Sequence, residues 1–158
     1  MSTLRDDWED FIRALAGRGV EYMIVGGVAV GAHGHVRYTK DMDVWFRATQ
    51  ENARRLIDAL HDFGFAQVET SPSEFCRPRA MLIIGAEPNM IELINFADGV
   101  DFDDCFPRRV DVPLGGVIAS VIALDDLRTN KRAVGRLQDL ADIENLDAEP
   151  NRDFHAED

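Results

Sequence analysis

Two aspartates spaced two residues apart carry the clearest chemical signal in this sequence. Asp41 and Asp43 belong to the segment DMDVWF, whose apolar residues predict a β-strand over residues 41–46. Side chains in a strand alternate between faces, so both carboxylates point the same way, with Cα atoms about 7 Å apart. They can converge on shared cations, and Mg²⁺ prefers such hard oxygen ligands.

Two glycines stand upstream of this strand. Gly26 and Gly27 follow residues 20–25, which predict another strand, and precede residues 28–32, which predict a short helix. Glycine leaves backbone N–H groups uncovered at the start of a helical turn, where an anion is favoured. The sequence therefore predicts a phosphate-binding backbone close to metal-binding carboxylates.

Glu92 is the candidate for the third carboxylate that a two-metal site needs. It lies in a predicted strand over residues 90–96, on the same face as Met90, Ile94 and Phe96, where it interrupts an apolar stripe. A buried carboxylate is costly unless it is paired or bound to a metal. Two metal ions about 3.5 to 4 Å apart could then hold the attacking and leaving oxygens of an in-line displacement.

Each of these features also has an ordinary structural explanation. An Asp-x-Asp pair is usually a solvated strand end, and a Gly-Gly pair is usually a turn. Glu92 could pair with an arginine or lie on an exposed face. The order and spacing of all three features together favour the chemical interpretation.

The surrounding elements predict an α/β (α+β) fold. Thr49 has the residue type of a helix N-cap and Gly64 that of a C-cap, so they bracket a predicted helix over residues 50–63. Residues 80–84 and 90–96 predict the two strands of a hairpin. The other predicted elements are helices at 4–17, 124–134 and 137–146, a strand at 65–69, a loop around 72–78, and short edge strands at 109–112 and 117–122.

Length and composition predict one domain over residues 1–147, followed by an acidic, disordered tail over residues 148–158. No apolar run reaches transmembrane length, and the N-terminus lacks the features of a signal peptide. We therefore expect a cytoplasmic protein without membrane contact. Cys76 and Cys105 are too few for a disulfide framework or a zinc site, so we interpret both as reduced thiols.

A formal net charge of −12 disfavours nucleic acid as a partner, without excluding it, because the chain as a whole repels a polyanion. The basic residues nevertheless cluster at two places. A local positive pocket for a triphosphate is therefore compatible with an acidic exterior. These clusters are Arg37 and Lys40 beside the aspartates, and Arg128, Lys131, Arg132 and Arg136 near the C-terminus.

The string GGVAVGAHGHVRYTKDMDVWF resembles the signature of the nucleotidyltransferase superfamily, which includes DNA polymerase beta. Within it, the chain is most similar to minimal nucleotidyltransferases of the AbiEii toxin type, over residues 20–146. The resemblance implies the polymerase-beta-like fold, with a mixed, mainly antiparallel sheet flanked by helices. It also implies Mg²⁺-dependent transfer of a nucleoside monophosphate from a nucleoside triphosphate to a hydroxyl acceptor.

The resemblance also assigns roles to the catalytic and phosphate-binding candidates. Asp41 and Asp43 would hold the nucleotide-bound metal, whereas Glu92 would help to place a second Mg²⁺ ion and draw the proton from the acceptor hydroxyl. Gly26 and Gly27 would bind phosphate through the backbone.

Four further residues are nucleotide-binding candidates. Arg37 and Thr39 precede the aspartates in an Arg-x-Thr-x-Asp-x-Asp arrangement; Arg37 would orient phosphates or a site carboxylate, and Thr39 is expected to fix the turn by a local hydrogen bond. Lys131 either contacts the β and γ phosphates or snorkels from the apolar stripe of its helix. Arg136 either joins the site or pairs with Asp139 on a helix surface.

The acceptor stays open at this stage. A small molecule such as an aminoglycoside, a protein hydroxyl and tRNA are the alternatives, and the AbiEii resemblance adds a toxin-antitoxin system as a setting. A homodimer or a partner protein could complete the acceptor site. The competing interpretation is a non-catalytic, antitoxin-like protein that binds a basic partner through its acidic surface.

Overall fold

The computed structural model describes residues 5–65 and 70–148. In these ranges six strands form a single sheet in the order β3-β4-β2-β1-β6-β5. The strands are β1 (Tyr22–Val25), β2 (Asp41–Phe46), β3 (Met81–Ile84), β4 (Met90–Ile94), β5 (Val110–Leu114) and β6 (Val117–Val121). The helices are α1 (Asp6–Gly17), α2 (Gly26–Ala32), α3 (Gln50–Phe63), α4 (Pro72–Phe75), α5 (Phe102–Cys105), α6 (Leu124–Val134) and α7 (Leu137–Ala148), with a 3₁₀ turn at Phe106–Arg108.

The sheet is mixed and mainly antiparallel, as predicted. β1 and β2, β3 and β4, and β5 and β6 pair antiparallel, whereas β2 and β4, and β1 and β6, pair parallel. The prediction of an edge strand at 117–122 is wrong, because β6 lies between β1 and β5. Val117, Ala119 and Val121 on β6 are buried and alternate with more exposed residues, so one face of this strand packs into the core.

Helices α1 and α3 cover the sheet with their apolar faces. Trp8, Phe11, Ile12 and Leu15 of α1 are buried, and the Phe11 ring meets Phe63 edge-on at 5.1 Å between centroids. Both predicted caps of α3 are confirmed. The Thr49 side chain accepts a hydrogen bond from Asn52 N, and Gly64 adopts the left-handed conformation with φ 114°.

Several boundaries differ from the sequence predictions. Helix α2 starts directly at Gly26, so both glycines belong to the helix, and Pro72 begins the short helix α4 where a loop was predicted. In the stretch before β5, α5 inserts Phe102 into the core, where its ring meets Trp45 edge-on at 5.2 Å. Helix α7 continues to Ala148, the first residue of the predicted tail. Most of the predicted strand at 65–69 and the rest of that tail lie outside the described residues.

Helix α6 packs against both α7 and α2. The side chain of Asn130 on α6 donates to the carbonyl oxygen of Asp98 at 2.9 Å. Ala133 lies so close to Gly99 that a Cβ added at Gly99 would be 2.5 Å from the Ala133 Cβ. These contacts anchor α6 to the turn that follows β4. Among the helices in the described ranges, none combines the length and apolar character needed to cross a membrane.

Candidate active site

The parallel pairing of β2 with β4 brings the three predicted carboxylates together. Asp43 lies opposite Glu92 in the register, so their side chains share one face of the sheet. Asp41 lies on the same face, two residues before Asp43. One carboxylate oxygen from each residue falls within a set whose members all lie within 4.8 Å of one another. The arrangement provides three oxygen ligands for a hard cation.

The electrostatics of this carboxylate cluster also fit a cation. Burial, the charge of Asp41 and the hydrogen bond and charge of Glu92 raise the pKa of Asp43 well above its usual range, against the opposing charge of Lys131. Burial and the charge of Glu92 raise the pKa of Asp41, against the opposing charge of Lys40. The Oδ1 atom of Asp43 is shielded from solvent, and no group in the described residues donates a hydrogen bond to it. A bound cation would satisfy this oxygen and offset the repulsion among the carboxylates.

Gly26 and Gly27 are required here because the first turn of α2 packs closely against β2 and the residues before it. Gly26 has φ +71°, and a Cβ added to it would lie 2.1 Å from Asp43 Oδ2. A Cβ on Gly27 would lie 2.8 Å from Thr39 Oγ1 and 3.2 Å from Arg37 Nη2. The first turn of α2 therefore rests directly against Asp43 and the segment before β2.

Thr39 makes the predicted local hydrogen bond, donating from Oγ1 to the carbonyl oxygen of Asp41 at 3.0 Å. Arg37 instead reaches across the fold to α7. Its Nε and Nη2 donate to the two carboxylate oxygens of Asp142 at 2.8 and 2.9 Å, and its Nη1 donates to the carbonyl oxygen of Tyr38. The carboxylate that Arg37 contacts thus belongs to α7 and not to the cluster of Asp41, Asp43 and Glu92.

Lys131 of α6 lies inside the protein. It is 3% exposed, and its Nζ donates to Asp139 Oδ1 at 3.2 Å and Asp142 Oδ2 at 2.9 Å. The expectation that it snorkels to solvent is therefore wrong, because two buried carboxylates on α7 hold the ammonium. Its positive charge nevertheless opposes the rise in the pKa of Asp43, so it acts electrostatically on the carboxylate cluster.

Arg136 lies at the start of α7 and pairs with Asp139, as the i, i+3 spacing predicted. Asp139 Oδ2 accepts hydrogen bonds from the Arg136 backbone N at 3.2 Å and Nε at 2.7 Å, as in a helix capping contact. Asp139 is buried at 1% exposure, whereas the Arg136 side chain is 74% exposed. The hydrogen bond to Asp139 raises the pKa of Arg136, and the charges of Asp43 and Glu92 add to this against the effect of burial, so the exposed guanidinium is within electrostatic reach of the carboxylate cluster.

The sequence reasoning missed Asp142. It has no exposed surface and also accepts a hydrogen bond from Gln138 Nε2 at 2.9 Å. Burial acts to raise the pKa of Asp139 and Asp142, but hydrogen bonds from their cationic partners outweigh it and lower both. Helical spacing in the sequence could have indicated the role of Asp142, because Asp139 and Asp142 lie on the face of α7 that buries Ile143 and Leu146. We call Arg37, Lys131, Arg136, Asp139 and Asp142 the α7 ion-pair network.

Comparisons with known proteins agree with this fold and site. Residues 9–112 match the sequence model of the aminoglycoside-2''-adenylyltransferase family, a range that includes both glycines and all three clustered carboxylates. The structure is similar to that of a candidate nucleotidyltransferase from Thermotoga maritima, with 14% sequence identity and a TM-score of 0.60, over 94% of this chain and 98% of that chain.

The similarity to the Thermotoga maritima protein shows the predicted nucleotidyltransferase fold. A search of curated protein sequences gave no match. The finer resemblance to the AbiEii toxin type stays a prediction. Since the family match covers well over half of the sequence, the chain belongs to the aminoglycoside-2''-adenylyltransferase family and is a nucleotidyltransferase.

Proposed function

We propose that the protein transfers a nucleoside monophosphate from a Mg²⁺-bound nucleoside triphosphate, with ATP as the donor, to a hydroxyl group of a small, cationic acceptor, with release of pyrophosphate. The observation that carries the proposal is the cluster of Asp41, Asp43 and Glu92 with the unsatisfied Asp43 Oδ1 at its centre. Family membership supports nucleotidyl transfer, and the adenylyl group in the family name supports ATP.

Asp41, Asp43 and Glu92 are the residues that would hold two Mg²⁺ ions. When bound, the ions neutralise phosphate oxygens and stabilise the charge that develops during in-line displacement. Within this site Glu92 accepts the proton of the acceptor hydroxyl at a carboxylate oxygen. The placement of Glu92 beside Asp43 on the neighbouring strand supports this role.

The remaining proposed site residues bind the nucleotide or hold its binding surface in place. Gly26 and Gly27 offer backbone N–H groups to phosphate, and their packing against Asp43 and Thr39 supports this assignment. Arg136 is the cation best placed to contact a phosphate directly, because its guanidinium is exposed and interacts with the charges of the carboxylate cluster.

Lys131, Arg37 and Thr39 have more internal positions. Lys131 supplies a fixed positive charge that acts on Asp43, and a direct contact with the β and γ phosphates requires it to exchange one of its aspartate partners for the nucleotide. Arg37 and Thr39 make hydrogen bonds that hold in place the segment leading into β2, the strand that carries Asp41 and Asp43.

A cationic amino sugar suits the acceptor site better than tRNA. The family name specifies an aminoglycoside, and a chain with a net charge of −12 attracts a polycation and repels a polynucleotide. A protein hydroxyl in a toxin-antitoxin setting is the alternative acceptor. The cytoplasmic location, and the homodimer or partner protein that would complete the acceptor site, also stay predictions.

The test is transfer of label from α-³²P-ATP in the presence of Mg²⁺ to a panel of aminoglycosides, total tRNA and cell-extract proteins. We expect labelled aminoglycoside, with no transfer by Asp43→Asn and normal transfer by Asp111→Asn, which removes an exposed carboxylate from β5. Label on tRNA or protein alone would reject the proposed acceptor. Absence of both transfer and Mg²⁺-dependent nucleotide binding would reject the proposed function, and binding without transfer would favour the non-catalytic, antitoxin-like interpretation.

A further inference from the structure

Asp142 lies at the centre of the α7 ion-pair network. Its carboxylate has no exposed surface and accepts hydrogen bonds from Arg37, Lys131 and Gln138 at distances between 2.8 and 2.9 Å. A buried carboxylate with this many donors is held in one orientation. It can therefore fix the orientation of the groups that bind it.

The two cations bound to Asp142 come from separate parts of the fold. Arg37 lies between α2 and β2, and is 105 residues away from Asp142 in the sequence. Lys131 lies on α6. Asp142 thus joins α6 and α7 to the segment that enters the metal-binding strand.

Both cations also border the proposed nucleotide site. Arg37 Nη2 lies 3.2 Å from the position of a Cβ on Gly27, so its guanidinium packs against the first turn of α2. The Lys131 charge acts on Asp43. A shift of either cation would change the surface on which the triphosphate is expected to lie.

The two cations depend on Asp142 to different extents. Arg37 uses Nε and Nη2 on the two oxygens of Asp142, whereas Lys131 has Asp139 as a second carboxylate partner. If Asp142 loses its charge, the Arg37 guanidinium loses the carboxylate that aligns it. Lys131 loses one of its two carboxylate partners and keeps Asp139. A bidentate pair fixes geometry as well as charge, so Arg37 should lose its orientation first.

We infer that Asp142 is a positioning residue of the nucleotide site, which holds Arg37 against Gly27 and fixes the position of the Lys131 charge, and thereby sets the affinity for the metal-bound triphosphate. It acts through these two cations and does not touch the nucleotide. The inference rests on the proposed function, because it assumes that the triphosphate binds against this surface.

The experiment measures binding of α,β-methylene-ATP with Mg²⁺ to the full chain by calorimetry. Asp142→Asn keeps the size of the side chain but removes its charge, and should weaken binding about tenfold or more, as loss of an orienting group commonly does. The matched control is Asp147→Asn on the same helix, which removes the exposed partner of Arg128 and should change affinity less than about twofold. Unfolding curves establish the temperature at which each variant is fully folded.

A second variant, Arg37→Gln, tests the contribution of Arg37 to nucleotide affinity even if Asp142→Asn folds poorly. Arg37→Gln should also weaken binding, and the double variant should lose no more affinity than Asp142→Asn alone, because Asp142→Asn already breaks the Arg37 contact that Arg37→Gln removes. Multiplied losses, or unchanged affinity in folded Arg37→Gln, would overturn the inference.

The remaining outcomes also separate the hypotheses. If folded Asp142→Asn binds the nucleotide with unchanged affinity, Asp142 has a structural role and the inference is rejected. Tighter binding would show that Asp142 competes with phosphate for the cations, which also overturns the inference. If the wild-type protein does not bind the nucleotide, both the proposed function and the inference fail. If the wild-type protein binds normally and the variants do not show the expected losses, only the inference about Asp142 fails.

Discussion

Replacement of Asp43 by Asn should stabilise the metal-free protein while abolishing its response to Mg²⁺. Burial and the neighbouring charges of Asp41 and Glu92 raise the pKa of Asp43, so the folded state disfavours its ionised form. Each pKa unit of such a rise costs about 1.4 kcal/mol of stability at a pH where the group is ionised. Asn removes the charge, and we expect a gain of at least about 1 kcal/mol near pH 7.

The pH dependence of this gain has a definite sign. A carboxyl whose pKa is higher in the folded than in the unfolded state, where it is about 3.9, binds its proton more tightly when folded. The wild-type protein therefore loses this part of its stability as pH rises from about 4 through the folded-state pKa of Asp43, and regains it as pH falls. The advantage of Asp43→Asn should be largest at neutral pH and small near pH 4.

Urea unfolding in the presence of a chelator, repeated between pH 4 and 8, measures both quantities. Added Mg²⁺ should then stabilise the wild-type protein by about 2.7 kcal/mol at one hundred times its dissociation constant, and should stabilise Asp43→Asn far less. Asp111→Asn is the matched control, because it removes an exposed carboxylate from β5 and should leave both the pH profile and the Mg²⁺ response intact.

Two results would refute the reasoning. A metal-free Asp43→Asn protein less stable than the wild type at pH 7 would mean that the carboxylate is satisfied and not repelled. A gain that does not diminish toward pH 4 would mean that the substitution acts through packing and not through charge.

Three further predictions concern the packing and ionisation around the site. Gly26→Ala, which places a Cβ 2.1 Å from Asp43 Oδ2 at φ +71°, should lower stability by about 1 to 3 kcal/mol in urea unfolding and weaken Mg²⁺ binding in calorimetry. Gly99→Ala should cost a similar amount of stability through its clash with Ala133, with Mg²⁺ binding less affected; Gly17→Ala, which meets no atom within 4 Å, should be harmless in both assays. Because the pKa of Asp142 is lowered in the folded state, its contribution to stability is present above about pH 4 and is lost as pH falls through its folded-state pKa. The free energy of unfolding of Asp142→Asn should therefore fall less steeply below about pH 4 than that of Asp147→Asn.

Local signals in the sequence were sufficient for several elements around the site. The apolar residues in 41–46 predicted β2, and the two-residue period of any strand places Asp41 and Asp43 on one face. Thr49 and Gly64 marked the ends of α3 because the cap residues satisfy or terminate the helix locally. These features depend on backbone conformation within a few residues, so the sequence alone could predict them.

Tertiary structure decided which distant groups meet. Only the parallel register of β2 and β4 places Glu92 beside Asp43, and only the docking of α7 brings Asp142 to Arg37 and Lys131. Helical periodicity could place these charged residues along an apolar stripe, but it could not say whether they reach solvent or a buried partner. That outcome depends on contacts between residues far apart in the chain, because a buried charge is tolerated only where another element supplies the opposite charge or a ligand.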